Sequence, residues 1–326
     1  PCAVLGKTAF ATRAAVMLWR ALRAVVLFSL GSTCYALLGI LSQLSKSEDG
    51  SYAYSLPTVI LLAEFTKLCI SLGFLTLDKG SLGKAVVDVM GTSLTCWLVF
   101  ALPSALYSLN NNLDILNNQH MDPATEQVLV QGKILTTGVV WWWVFGREMG
   151  LRKWMGLTIL FLGTVLAGWP QQAPLHEKRM HINSTGVMLI MLYVWVSASA
   201  GVYNEWLYKN FSKDENIHTC NIRIYTIGCA VNLAAHLTND PSLGSLVSLT
   251  SGYNRYCWGL VATYSLMGLL VAQVMKYLDS IVKLFMSGSS MYISAVFSWA
   301  IFGYFPTWNF SVGMVLVTIA MVLYNF

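Results

Sequence analysis

Ten apolar runs, each about the length of a bilayer-crossing helix, follow one another along the chain with short polar breaks between them. They lie near residues 22–42, 56–77, 90–118, 123–145, 151–169, 185–208, 219–238, 256–277, 281–303 and 307–325. A spanning helix needs roughly 20 predominantly apolar residues. A soluble domain of 326 residues could not bury so many, because surface-to-volume scaling limits the interior. Charged residues make up 11% of the chain and hydrophobic ones 56%, against about 25% charged in soluble domains. The sequence therefore predicts an all-α membrane protein of about ten transmembrane helices.

Local signals agree with the spacing. Pro57, Pro123 and Pro306 stand at the starts of runs, where a missing N–H costs nothing. Pro103 lies inside the third run and should kink it. Tryptophans mark run ends: Trp141, Trp142 and Trp143 close the fourth, Trp154 opens the fifth and Trp169 ends it. Amphipathic rings prefer the headgroup level. The seven cysteines are scattered without a C-x-x-C pair, mostly within apolar runs, which predicts neither a disulfide framework nor zinc. No secretory signal with a cleavage site is visible, and the first run is expected to act as its own anchor.

Orientation follows from basic residues in short loops. With a cytosolic N-terminus, that side holds Lys7, Arg13, Arg20, Arg23, Lys79, Lys84, Arg147, Arg152, Lys153, Lys209 and Lys213. The other side holds Lys46, Lys178, Arg179 and Arg255. The excess predicts that both termini are cytosolic. Residues 1–21 then form a cytosolic N-terminal segment, 22–169 a first five-helix half, 170–184 a lumenal connecting loop and 185–326 a second half. The loop reaches a sequon at Asn183. The halves show no clear self-similarity, so the division rests on topology.

The informative residues are charges in the wrong solvent. Lys67, Lys133, Lys276 and Lys283 lie within or against apolar runs, accompanied by Glu64, Glu126, Glu205 and Asp279. Four unpaired lysines would cost on the order of 10–14 kcal/mol on insertion scales, as much as a typical domain's whole stability. They must face water, a partner or a ligand. Glu64 and Lys67 are three apart; Glu126 and Lys133 are seven apart, with Gln127 and Gln131 beside them; Lys276, Asp279 and Lys283 follow at three, four and seven. Each set suits one helix face. Tyr107, Asn110, Asn111, Asn112, Asn117 and Asn118 add polar groups to the third run, and Tyr203 and Asn204 to the sixth. Pairing among these residues would merely glue helices together; lysines converging on a cavity would instead suit a phosphate or diphosphate. Metal-ligand spacing, a nucleophile elbow and a phosphate-cradling glycine loop are missing from the sequence, and the five histidines are dispersed. The reading is of a carrier, not an enzyme, with no cofactor and no nucleic-acid partner.

Five blocks in order carry a family resemblance. Glu64-Phe65-Thr66-Lys67, Tyr107 through Asn112, Asp122 through Lys133-Ile134, Gly201 through Glu205, and Lys276 through Lys283 resemble the nucleotide-sugar transporter family (solute-carrier 35, subfamily A-like; drug/metabolite transporter superfamily). The match runs from about residue 25 to the end, nearest the CMP-sialic acid, UDP-galactose and UDP-N-acetylglucosamine carriers. The resemblance implies two inverted five-helix repeats in a Golgi or endoplasmic-reticulum membrane. It also implies an alternating-access antiporter, exchanging a cytosolic nucleotide sugar for a lumenal nucleoside monophosphate. By similarity Lys133 and Lys276 hold phosphate, with Tyr107, Asn111 and Asn112 near the nucleotide. Gln127, Lys283, Tyr203 and Glu205 join them along the cavity, and Glu64, Lys67, Glu126 and Asp279 support it. Besides cargo and membrane lipid, a second copy or a larger membrane assembly is an implied partner. One departure stands out: Glu126 occupies a position where the subgroup has tyrosine, and a carboxylate there would neutralise Lys133 or repel phosphate. It keeps open export of another polar or phosphorylated metabolite on the same fold, or a transporter-like structural subunit of a membrane complex.

Overall fold

Capping residues and glycines divide the chain into twelve helices, seen in a computed structural model that describes residues 2–47, 52–121, 123–169, 184–239, 249–303 and 305–325. The helices are α1 (Cys2–Leu44), α2 (Leu56–Lys79), α3 (Leu82–Met90), α4 (Leu94–His120), α5 (Pro123–Leu129) and α6 (Lys133–Phe145). After them come α7 (Leu151–Ala167), α8 (Ser184–Trp206), α9 (Ile217–Asn239), α10 (Arg255–Tyr277), α11 (Ser280–Phe302) and α12 (Trp308–Asn325). Every regular element among the described residues is helical. Among the described residues, six helical segments are long and apolar enough to cross a bilayer, and a seventh qualifies if α3 and the first part of α4 are taken as one bent segment. These apolar helices fit an integral membrane protein.

All ten predicted runs contain helix, with three differences. The first helix begins at Cys2 instead of near residue 22, although its apolar spanning part is Val16–Leu44. The third run is α4, and a short helix not expected from the pattern, α3, precedes it and meets it at 87° across Gly91–Ser93. Two caps make that corner: the Gly91 N–H closes α3 on the Val87 carbonyl at 2.8 Å, and Ser93 Oγ accepts from the Cys96 N–H at 3.3 Å. The helix continues through Pro103, so the sharp bend lies ten residues before the proline. Third, a 3₁₀ turn at Val130–Gly132 separates α5 from α6. The connecting loop 170–183 and its sequon lie outside the described residues.

Glycines end helices where the backbone turns left-handed: Gly80 after α2 (φ 75°), Gly146 after α6 (φ 57°) and Gly303 after α11 (φ 69°). Asn254 caps α10 through the Cys257 N–H at 2.8 Å, and Asp279 caps α11 through the Val282 N–H at 2.7 Å. A π-helical stretch, Leu207–Phe211, extends α8.

The helices associate in a regular set of neighbours. α7 lies along α12 and α2 along α9; α1 packs on α10 and α11, and α8 on α4 and α6. Close approach of α7 and α12 depends on small residues. A Cβ at Gly163 would stand 2.9 Å from the Gly313 carbonyl oxygen, and one at Gly313 would stand 2.6 Å from that of Gly163. The largest buried cluster, around Trp141, Leu157, Leu160, Ile281, Phe285 and Val317, joins α6, α7, α11 and α12. Leu77, Trp143, Leu151 and Met188 turn outward, each at least 75% exposed, as lipid-facing side chains do.

Candidate functional site

The first stranded charge pair is made and seated. On α2, buried Lys67 donates to Glu64 Oε1 at 2.6 Å, and its ammonium lies 4.5 Å from the centroid of the Tyr225 ring on α9. Two glycines leave room for the pair. A Cβ at Gly228 of α9 would come within 3.0 Å of Glu64 Oε2, and one at Gly268 of α10 within 2.5 Å of Lys67 Cδ. The carboxylate neutralises the ammonium, while the ring face adds a second favourable surface.

The second set is split, contrary to the reading of one shared face. The chain breaks between α10 and α11 at Leu278 (φ −116°, ψ −133°), so Lys276 ends one helix, Asp279 caps the next and Lys283 follows it. A helical i, i+3, i+7 argument fails across such a break. Lys276 donates to the backbone carbonyl of Glu215 at 2.6 Å, which fastens the α8–α9 connection to α10. The Glu215 carboxylate takes Arg223 Nη1 at 2.5 Å, and Arg223 is 1% exposed. Lys283 takes another path. It is half-buried and lies against the hydroxyl of Tyr107 on α4, with Tyr35 of α1 in the same neighbourhood. Among the described residues it has no carboxylate within ion-pair distance.

Glu205 is a junction. Its carboxylate, 1% exposed, accepts from Trp141 Nε1 (3.2 Å), Lys209 Nζ (2.7 Å), the Ser280 backbone N–H (2.7 Å) and Ser280 Oγ (2.7 Å). It therefore ties α8 to α6 and to the first turn of α11, where the positive end of the helix dipole favours an acid. Tyr203, two residues earlier, donates to the Val99 carbonyl of α4 at 3.1 Å.

A 3₁₀ turn lies between Glu126 and Lys133. Its three residues advance about 120° each instead of about 100°, so the seven steps end roughly 40° past two full turns and the pair stays on one side of the segment. Glu126 is buried, Gln127 is exposed and Lys133 half-buried; the Gln127 carbonyl accepts from Gln131 Nε2 at 3.3 Å. The side chains of Asn111 and Asn112 lie outside the described residues. Asn117 is fully buried, with neither amide atom bonded among the described residues, and Asn110 Oδ1 is likewise unpartnered.

Two cavities open near the C-terminal ends of α6 and α8. One, of about 380 Å³, is apolar and runs between α4, α6 and α8, lined by Leu106, Val140, Val144, Ser199, Tyr203 and Trp206 among others. The other, of about 400 Å³, is polar and lined by Phe145, Arg147, Glu205, Lys209, Asn210 and Lys213. Sequence reasoning left Arg147, Lys209 and Lys213 as loop charges, and it overlooked Tyr35 and Arg223. For Arg223 a signal existed, an arginine about one turn into an apolar run; Tyr35 carried none.

Comparison with known proteins follows the same lines. A family profile described as nucleotide-sugar transporter matches residues 15–325. The Danio rerio protein named "Probable UDP-sugar transporter protein SLC35A4" is 34% identical over 277 residues, 83% of this chain and 84% of its own. CMP-sialic acid transporter 1 of Oryza sativa subsp. japonica is 31% identical over 88% of this chain and 89% of its own. The UDP-N-acetylglucosamine transporter of Homo sapiens is 30% identical over 87% and 89%. A solved crystal structure superposes on 92% of this chain and 95% of its own with a TM-score of 0.66 at 12% identity, a likeness of fold alone.

Proposed function

The chain belongs to the nucleotide-sugar transporter family, and from that premise we propose that it carries a nucleotide sugar across an endomembrane in exchange for a nucleoside monophosphate. The relatives named above transport UDP-sugars or CMP-sialic acid, which supports a nucleotide-linked cargo. Alternating access in a Golgi-type membrane, with the sugar moving inward from the cytosol, belongs to the same proposal, and the charge asymmetry of the loops supports cytosolic termini. Transport without catalysis also accords with the family's named activity.

The helix neighbours support ten membrane segments in two inverted halves. Numbered within each half, α2 and α9 are equivalent, as are α7 and α12, and each pair packs together. The packing of α1 on α10 and α11 has its counterpart in α8 on α4 and α6. A two-fold relation between halves gives that pattern, and transporters of this kind bind cargo where the halves meet.

One observation carries the cargo's charge. Lys283, on an apolar helix of the second half, meets the Tyr107 hydroxyl and no acid among the described residues, and Tyr107 comes from the first half. A half-buried ammonium so placed is completed by an anion. Lys283 and Tyr107 take the phosphate; Lys133 and Lys276, which keeps two donors beyond its carbonyl bond, assist. Gln127, Asn111 and Asn112 serve base and sugar. Glu64 with Lys67, and Glu205 with Tyr203, hold the walls.

The test is exchange. Purified protein in liposomes preloaded with UMP, CMP or GMP should take up at least one labelled nucleotide sugar, and Lys283→Ala should abolish uptake with an unchanged melting profile. Well-folded protein that exchanges none of them, or a Lys283→Ala variant with full activity, overturns the proposal.

A further inference from the structure

The apolar crevice and the polar cavity share one end of the same two helices. On α6 the crevice takes Val140 and Val144, and the polar cavity takes Phe145 and then Arg147. On α8 the crevice takes Ser199, Tyr203 and Trp206; the polar cavity takes Glu205, then Lys209 on the π-helical extension and Lys213 just beyond it. The basic lining, Arg147, Lys209 and Lys213, lies C-terminal to the apolar lining on both elements. From Ser199 to Lys209 the helix rises about 15 Å, half the thickness of a hydrocarbon core. The two linings adjoin at Val144–Phe145 and at Glu205–Trp206.

The charge balance of the polar cavity is specific. Lys209 is offset by Glu205 at 2.7 Å, which leaves Arg147 and Lys213 in excess. Their loops fall on the side that the count of basic residues assigns to the cytosol, the side on which bilayers carry anionic lipid. A zwitterionic lipid would fill the crevice and leave that charge unanswered; a free anion would answer the charge and leave the crevice empty.

We propose that these two cavities together form a binding site for one anionic phospholipid, an acyl chain between α4, α6 and α8 and its phosphate against Arg147 and Lys213. The site rests on the membrane reading of the chain and does not depend on which cargo is carried. An occupant here bridges the first half (α4, α6) and the second (α8), so the lipid would act on how the halves move against each other.

The test uses the full chain in detergent, melted with dioleoyl phosphatidylserine, dioleoyl phosphatidylcholine or glycerophosphoserine, which has the headgroup and no chains. Phosphatidylserine is expected to raise the melting temperature, and the other two to leave it within error. Arg147→Gln with Lys213→Gln should weaken the phosphatidylserine effect about thirtyfold in half-saturating concentration, the worth of two basic residues at a membrane surface. Ser199→Trp, which fills the crevice, should abolish it. Equal stabilisation by phosphatidylcholine would reduce the site to bulk lipid contact, and equal stabilisation by glycerophosphoserine would make it a free-anion site. An undiminished effect in the double variant would overturn the proposal as well. Should that variant fold poorly, native mass spectrometry of Lys213→Gln reads the same quantity, as the fraction of chains retaining one phosphatidylserine over phosphatidylcholine. A ratio equal to that of the unaltered protein refutes the site.

Discussion

Replacing Glu205 by alanine tests whether a buried acid at the meeting of three helices holds them together. Its four donors lose their acceptor at once. Hydrogen bonds to a charged acceptor contribute about 1.5–3 kcal/mol each, and the long 3.2 Å bond of the Trp141 N–H is taken lower, at about 1 kcal/mol. The Lys209 ammonium, 27% exposed, can turn to water, so its bond is discounted heavily. The two Ser280 donors and the indole then give a loss of about 4 kcal/mol, in line with the cost of stranding one partner of a buried pair. At roughly 2 °C per kcal/mol for a chain of this length the apparent melting temperature should fall by about 8 °C. Tryptophan fluorescence melts in one detergent at one scan rate make the comparison fair, because membrane proteins commonly unfold irreversibly. A Glu205→Ala protein melting within 2 °C of the unaltered one would refute the reasoning that the acid holds α6 and α11 together.

Two further expectations follow from packing and protonation. Gly313→Ala should lower the melting temperature by several degrees and reduce folded yield, since its Cβ would press within 2.6 Å of the Gly163 carbonyl oxygen. Gly73→Ala, in open space on α2, should be neutral or stabilising by up to about 1 kcal/mol; equal losses from both would show that helix contact is not the cause. At the head of α9, outside the apolar span, burial pushes the His218 imidazole below its usual range, with Asp78 opposing. The neutral ring stacks on Phe74 at 5.1 Å. Its folded value is depressed, so its contribution is present above about pH 6.5 and lost as pH falls through that lower value. Melts at pH 7.5 and 5 should therefore differ more for the unaltered protein than for His218→Gln, and identical differences would remove His218 as the cause.

The all-helical character and the order of the apolar segments were legible because hydropathy reports the solvent each segment faces. The Glu64–Lys67 pair was legible because three residues on a continuous helix fix a neighbour. What escaped lies where the helix is interrupted. The 3₁₀ turn at Val130–Gly132 and the break at Leu278 rotate Lys133 and Lys283 relative to earlier residues, and neither carries a proline to announce itself. The Gly91–Ser93 corner was hidden by the stronger signal of Pro103. Side chains meeting across helices, such as Tyr107 with Lys283 or Glu205 with Ser280, depend on packing that a linear pattern does not encode.

The niche around Lys67 has a consequence for inheritance. Its side chain occupies the volume that any Cβ at position 268 would need, although the two positions are 201 residues apart in the chain. They should therefore change together. A descendant with alanine at 268 is expected to have exchanged Lys67 for something shorter, and then to have no reason to keep an acid at 64.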